Sequence, residues 1–249
     1  MKIQCLYSEK YERFLEETVE YIIARWGNEL DLSGLEIIEL KESDKYQFNS
    51  EGRTYNKGKN IILSSDAYDQ LDELAIEKIA DSEKFKSIVN TIYHEMVHAS
   101  DWKKMPQLYG MVEDNSESSL KIASLFWLEY LAEKRSSEKG LVNHNFFCED
   151  FVTREWKAYR VDFNDIDTEN FIYLCKILPY FMGRTIEQQK RATYLTIMKN
   201  TLLKEMIVEL DHEIKVLEVQ YPFDDPEKLN DLYNILNQYC KKFKRAFRP

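Results

Sequence analysis

The sequence predicts an α+β fold, in which a small antiparallel sheet and a central helix are followed by a mostly helical second half. Short β-prone runs separated by turn residues lie in the first third of the chain. Apolar residues at helical spacing dominate beyond residue 145. The chain has 249 residues, enough to bury a sizeable core. We therefore expect a core domain over residues 1–145 and a helical region over residues 146–249 that packs on it.

The first third alternates helix and strand signals. Apolar residues at helical spacing predict a helix from about Glu9 to Arg25, which the turn residues Gly27 and Asn28 end. Strands are predicted over Leu35–Leu40, Tyr46–Phe48, Arg53–Tyr55 and Asn60–Ser64, with turn chemistry at Glu51-Gly52 and Lys57-Gly58. Together these strands would form the antiparallel sheet.

Helical patterns cover most of the remaining chain. One predicted helix runs from Ala67 to about Ala80, and the next has Ser82 as its N-cap and continues without Gly or Pro. Further helices are predicted over about Ser116–Glu138, Thr168–Gly183, Ile186–Val219 and Pro226–Phe247, with breaks at Pro179, Gly183 and Pro222. Their aromatic stripes are typical of core packing.

Residues 94–98 read His-Glu-Met-Val-His, in a chain that has only four histidines. On a helix His94 and His98 share a face, so both rings can bind one cation, and Glu95 emerges beside them. The apolar stripe of the same helix is predicted to lie on the opposite side and comprises Phe85, Ile88, Val89, Ile92 and Met96. The histidines are therefore expected on a polar face that looks at solvent or a cleft.

A catalytic zinc ion takes three protein ligands and leaves the fourth position to water, so a third donor is needed. Glu129 is the first candidate because its carboxylate lies in an apolar helical run, where an unpaired charge is costly. A buried ion pair with a Lys or Arg of the helical half is the competing interpretation. Glu133 shares the face of Glu129, but the basic residues after it predict a salt-bridged position nearer solvent. The remaining candidates are Asp101, Glu113 and His144.

This pattern resembles the zincin metallopeptidases of the gluzincin type, in which a Glu on a following helix is the third zinc ligand. The resemblance rests on residues 94–98 and on Glu129-Tyr130-Leu131-Ala132. Residues 52–55, leading to residues 60–63, are similar to the edge-strand hairpin of small cytoplasmic members, including the ImmA/IrrE-type peptidases. The resemblance covers about residues 35–138 and implies a zincin-like core with residues 94–98 on the active-site helix.

Two departures limit what is carried over. Asp101 stands where metzincins have Gly, and no third histidine follows in the metzincin spacing. Leu128 precedes Glu129, and Ala132-Glu133 replace the Ser-Asp pair of thermolysin-type enzymes. Outer-sphere and substrate-binding residues of those enzymes are therefore not transferred to this chain.

The resemblance implies a zinc metallopeptidase with His94, His98 and Glu129 as Zn²⁺ ligands. Such an enzyme hydrolyses peptide bonds through a metal-activated water, with Glu95 as general base. Tyr130 is the first candidate to donate a hydrogen bond to the oxyanion, although ordinary packing competes as an interpretation. The alternative donors are Tyr55, Tyr93 and His144. Asp101 is expected either to orient a ligand imidazole or to be an exposed carboxylate at the helix end.

Composition limits the partners and the compartment. The net charge of −10 disfavours nucleic acid and anionic membranes, and the expected partner is a protein or peptide substrate. The four cysteines show no CxxC pair, which favours reduced thiols in a cytoplasmic protein. Neither a signal peptide nor a stretch long enough to cross a membrane is evident.

Two other functions fit the same residues. One is a zincin-fold binding or regulatory module that does not cleave, and the other is an effector or toxin that uses the zinc site on target proteins. A module without activity should have lost Glu95 or a ligand, and this chain retains them.

Overall fold

The computed structural model describes residues 1–6, 8–41, 52–64, 82–113, 119–153 and 168–246. The predicted strand Tyr46–Phe48 and the predicted helix from Ala67 to Ala80 lie outside the described residues. The α+β class is confirmed, because a four-stranded sheet in the first part of the chain is followed by a succession of helices.

The described residues of the first part of the chain form seven elements. They are β1 (Lys2–Cys5), α1 (Glu9–Trp26), a 3-10 turn (Gly27–Glu29), β2 (Ile37–Lys41), β3 (Gly52–Tyr55), β4 (Asn60–Ser64) and α2 (Glu83–Trp102). The later elements are α3 (Pro106–Glu113), α4 (Lys121–Ser137), α5 (Asn145–Thr153), α6 (Thr168–Arg184), α7 (Gln188–Ile197), α8 (Thr201–Gln220), a 3-10 turn (Pro226–Leu229) and α9 (Asn230–Ala246).

The sheet is mixed, so the prediction of an antiparallel sheet is wrong for two of its three pairings. The strand order is β1-β2-β4-β3, and β2 pairs in parallel with both β1 and β4. α1 connects β1 to β2 as a crossover, and a crossover returns the chain to the same end of the sheet. Of the described strands, only β3 and β4 pair antiparallel, through a turn in which Asn56, Lys57 and Gly58 have positive φ.

The strands and α2 belong to a first compact unit, formed by Met1–Pro106 and Arg135–Val142. The Ser82 side chain accepts a hydrogen bond from the backbone N–H of Phe85, which confirms the predicted N-cap of α2. All residues of α2 from Ile92 to Trp102 are buried. The expected polar face is therefore buried as well. The helix also contacts β3, β4 and α1.

The second compact unit comprises Gln107–Lys134 and Asn143–Pro249, and the regular elements among its described residues are all helices. The single helix predicted over Ile186–Val219 is two helices, α7 and α8. Asn200 separates them, because its side chain caps α8 by accepting a hydrogen bond from the N–H of Leu203. The two units interleave along the chain, and the domain boundary at residue 145 stays a prediction.

The sequence predicts reduced cysteines and no membrane-spanning stretch. No disulfide joins Cys5, Cys148, Cys175 or Cys240, which all lie in the described ranges. Across those ranges, every helix is too short or too polar to cross a membrane.

Candidate metal centre

The side chains of His94 and His98 face each other on α2. Their Nε2 atoms are 3.1 Å apart, and each residue is 7% exposed. Two nitrogens bound to one zinc ion at about 2.05 Å in tetrahedral geometry would be about 3.3 Å apart. The observed spacing therefore fits two ligands of one ion. A direct N–H···N hydrogen bond has a similar length, and its direction depends on the tautomers of the two rings.

Glu95 is buried and is held by β3. The Thr54 hydroxyl lies 2.7 Å from Oε2 of Glu95 and 2.9 Å from its carbonyl oxygen. A Cβ on Gly52 would lie 2.9 Å from Cγ of Glu95 and 3.2 Å from Oε1, closer than side-chain atoms normally pack. Gly52 and Thr54 therefore position Glu95 from one face of the strand.

Sequence reasoning did not identify Gly52 or Thr54 as site residues. The available signal was their spacing, because residues two apart on a strand point to the same face. The resemblance placed their strand at the border of a cleft, but it assigned no contact to either residue. Their contact with Glu95 depends on how the strand packs against α2, which the sequence does not reveal.

Glu129 is a half-buried residue of α4 in the second unit. The Tyr180 hydroxyl donates a hydrogen bond of 3.0 Å to its Oε2 atom. Tyr180 lies on α6 and was not predicted as a site residue. A tyrosine among the aromatic residues of an amphipathic helix reads as core, so the sequence held no signal for this contact.

Glu133 forms the salt bridge that its basic neighbours suggested, but its expected position near solvent is wrong. The residue is 1% exposed, and its Oε1 atom lies 2.6 Å from Nε of Arg184. α6 covers it, because Gly183 lets the two helices approach closely. The neighbouring Lys134 does not indicate exposure either, since its ammonium pairs with Glu218.

Tyr130 is buried, and its hydroxyl donates a 2.6 Å hydrogen bond to Oε1 of Glu218. Lys134 donates to the same oxygen, and the Tyr130 ring stacks on Trp127. These contacts all lie within the second unit and favour the packing interpretation. The role of Tyr130 at an oxyanion stays a prediction.

The other tyrosine candidates also have partners within the first unit. The Tyr93 hydroxyl donates to Glu29 at 3.2 Å, and burial raises the pKa of Tyr93 above its usual value. Tyr55 accepts a hydrogen bond from the side chain of Asn60 at 3.1 Å. Both contacts are typical of structural tyrosines.

Asp101 is buried, so the alternative of an exposed carboxylate at the helix end is wrong. It is 1% exposed, and its Oδ1 atom lies 3.0 Å from Arg135 and 3.1 Å from Lys104. Arg135 also donates to the backbone oxygen of Glu29, so it links three parts of the first unit. These ion pairs explain how the Asp101 charge is accommodated in the interior.

The two remaining third-ligand candidates differ in exposure. Glu113 is exposed at the end of α3. His144 is 8% exposed, and its Nε2 atom has no hydrogen-bond partner among the described residues. Burial, and secondly the nearby charge of Arg184, lower the pKa of His144 to about 4. His144 is therefore neutral in the folded protein at pH 7.

The structure thus brings His94, His98 and Glu95 together on α2 in the first unit, and it places Glu129 and Tyr130 on α4 in the second unit. No protein family, curated protein or solved structure matches this chain. Its functional interpretation therefore depends on the residues themselves.

Proposed function

We propose that this chain is a zinc-dependent metallopeptidase, with His94, His98 and Glu129 as ligands and Glu95 as general base. The observation that carries the proposal is the 3.1 Å separation of two buried imidazole Nε2 atoms. The carboxylate of the intervening Glu95 is buried beside them and hydrogen-bonded. Paired imidazoles one helical turn apart, with a carboxylate after the first, are the donors and base that zinc hydrolases use.

Glu129 is proposed as the third ligand because of what it contacts. Arg184 pairs with the neighbouring Glu133, and the Tyr180 hydroxyl donates a hydrogen bond to Glu129. A divalent cation would have to displace that guanidinium to bind Glu133. Hydrogen bonds to ligating carboxylates are also a regular feature of metal sites.

The placement of possible metal ligands in the chain supports the same three residues. Among the described residues, one group of three His, Cys, Asp or Glu side chains is able to hold a metal ion, namely His94, His98 and Glu129. The histidines belong to the first compact unit and Glu129 to the second. Their joint binding of one ion is the content of the proposal.

Each residue has a defined task in this reaction. A bound zinc ion would acidify a water molecule and polarise the carbonyl of a peptide bond. Glu95 would accept the proton of that water and transfer it to the leaving amine. Thr54 and Gly52 would keep the Glu95 carboxylate in one orientation, which spares the reaction the entropy of ordering it.

A non-cleaving zincin-fold module is the second candidate function. The anchoring of Glu95 favours hydrolysis over binding alone, because a site that only binds metal has no use for a buried carboxylate fixed beside its ligands. An effector or toxin would use the same residues and differ only in its target protein. A protein or peptide substrate and a cytoplasmic location remain part of the proposal.

Metal analysis of the purified full-length chain, paired with a protease assay, tests the function. We expect about one zinc ion per chain, and much less in His94→Ala and His98→Ala. Glu95→Gln should keep the zinc and lose at least about a hundredfold in hydrolysis of unfolded casein.

The outcomes separate the candidate functions. A folded wild-type chain that does not retain added zinc contradicts the metal site itself. Zinc binding without hydrolysis by the wild type, or hydrolysis that persists in Glu95→Gln, contradicts the proposed mechanism. The first of these two results favours the non-cleaving module.

A further inference from the structure

The last turn of α6 contacts two carboxylates of α4. Tyr180 donates to Glu129 at 3.0 Å, and Arg184 pairs with Glu133 at 2.6 Å. The two acids are four residues apart on α4, and their two partners are four residues apart on α6. Residues four apart lie on the same face of a helix, so the two helices match turn for turn. All four residues belong to the second unit.

The close approach of these helices depends on Gly183. A Cβ at this position would lie 2.9 Å from the backbone nitrogen of Lys134 and 2.9 Å from Cβ of Glu133. Neither atom is the end of a flexible side chain, so a larger residue would move α6 away from α4. The absence of a side chain at Gly183 thus brings Tyr180 within reach of Glu129.

The position of Arg184 is fixed by more than its ion pair. Its guanidinium carbon lies 4.3 Å from the ring centroid of Phe147 and 5.4 Å from that of Tyr180. These distances are within the range of cation–π attraction. Arg184 therefore neutralises Glu133 and packs against Tyr180, the residue that contacts Glu129.

The hydrogen bond from Tyr180 has a geometric consequence for Glu129. A donor at Oε2 fixes the rotation of the carboxylate about its last single bond, and this also sets the direction of Oε1. The terminal torsion of a Glu side chain is otherwise broad.

We infer that Tyr180 is a positioning residue, which holds the Glu129 carboxylate in the orientation that binds the metal ion. The helical second half of the chain thereby sets the metal affinity of the proposed site. This inference depends on the proposed function, because it takes Glu129 as a ligand. Loss of such a hydrogen-bond partner typically weakens metal binding by about 10-fold to 100-fold.

Tyr180→Phe in the full-length chain tests this role through metal affinity. The dissociation constant of Zn²⁺ is measured on metal-free protein by competition with a chromophoric chelator. We expect at least about tenfold weaker binding in Tyr180→Phe. The matched control is Tyr239→Phe, which removes the hydroxyl of a second tyrosine bonded to a glutamate, in this case Glu209 at 2.7 Å. The control should bind zinc with the wild-type affinity.

A double-mutant cycle shows whether Tyr180 acts through Glu129. Tyr180→Phe should weaken zinc binding in the wild-type background and add nothing in a Glu129→Gln background. Independent, additive effects of the two substitutions contradict the inference. The cycle remains valid if Tyr180→Phe lowers stability, because only variants that remain folded by circular dichroism are compared. Tyr180→Leu supplies a second variant that lacks the hydroxyl and adds no zinc donor.

The inference and the proposed function fail in different ways. If the wild type binds zinc and Tyr180→Phe binds it equally well, the positioning role is wrong and the metal site remains. If the folded wild type does not bind zinc, the proposed function is wrong and the inference with it. Equal losses in Tyr180→Phe and Tyr239→Phe would indicate a general effect on the helical unit and would also contradict the positioning role.

Discussion

The Thr54 hydroxyl donates a hydrogen bond to the carboxylate of Glu95, with an oxygen–oxygen distance of 2.7 Å. Thr54 lies on β3, and Glu95 lies on α2 between the two histidines. The strand therefore controls the orientation of the proposed general base. Activity should therefore depend on the hydroxyl of Thr54.

Replacing Thr54 with Val should lower hydrolysis of unfolded casein by about tenfold or more, because a misplaced catalytic group is costly. Val keeps the shape of Thr but removes the donor. Thr54→Ser keeps the hydroxyl and should retain most of the activity. Zinc content, measured in parallel, should be equal in all three proteins. Equal activity of the Val and Ser variants would show that this hydrogen bond does not position the base.

Gly52→Ala should displace Glu95. The new Cβ would lie 2.9 Å from Cγ of Glu95, and a paired strand can shift less easily than a side chain. We expect a loss of hydrolysis together with a loss of about 1 kcal/mol or more in the free energy of unfolding. Urea unfolding measures the latter. In a Glu95→Ala background the stability loss should largely disappear, and a loss of the same size there would place the clash elsewhere.

Gly183→Ala should destabilise the protein by about 1–3 kcal/mol, because its Cβ would meet the backbone of α4. Gly110→Ala is the matched control, since it is also a helical glycine and a Cβ there would meet no atom within 4 Å. That substitution should stabilise the protein by up to about 1 kcal/mol through helix propensity. Thermal unfolding of both variants checks the prediction, which is wrong if their melting temperatures shift in the same direction.

The metal-free protein should lose stability as the pH falls, and His144 should contribute. Its pKa is lowered from 6.5 to about 4 by burial, so between these values the unfolded chain binds a proton that the folded chain does not. The contribution of His144 is complete above pH 6.5 and declines as the pH falls towards 4. Urea unfolding in EDTA at several pH values should show a shallower pH dependence for His144→Gln than for the wild type. Identical slopes would contradict this account.

The features that could be predicted from the sequence depend on local physics. The N-cap at Ser82, the run of α2 through residues 94–98 and the β3–β4 turn follow from residues that are close in the chain. The parallel pairing of β2 with β1 and β4 could not be predicted from residues that are close in the chain. Which strands become neighbours is decided by the path of the chain between them and by packing, and hydrophobic alternation carries little information about either.

The same distinction applies to the candidate site. His94, Glu95 and His98 were identified because one helical turn brings them together. Tyr180 could not be identified, since it lies 51 residues from Glu129 and contacts it only through the packing of two helices. The burial of Glu133 does not follow from its local sequence for the same reason, because α6 covers this residue.

The interleaved course of the chain affects how fragments of this protein can be prepared. The chain passes between the compact units after Pro106, Lys134 and Val142, and the second of these crossings lies inside α4. Neither unit is thus a single continuous stretch, and no one protease cut or terminal truncation would release either of them whole. Samples for isotope labelling or crystallisation should accordingly contain both compact units in one chain.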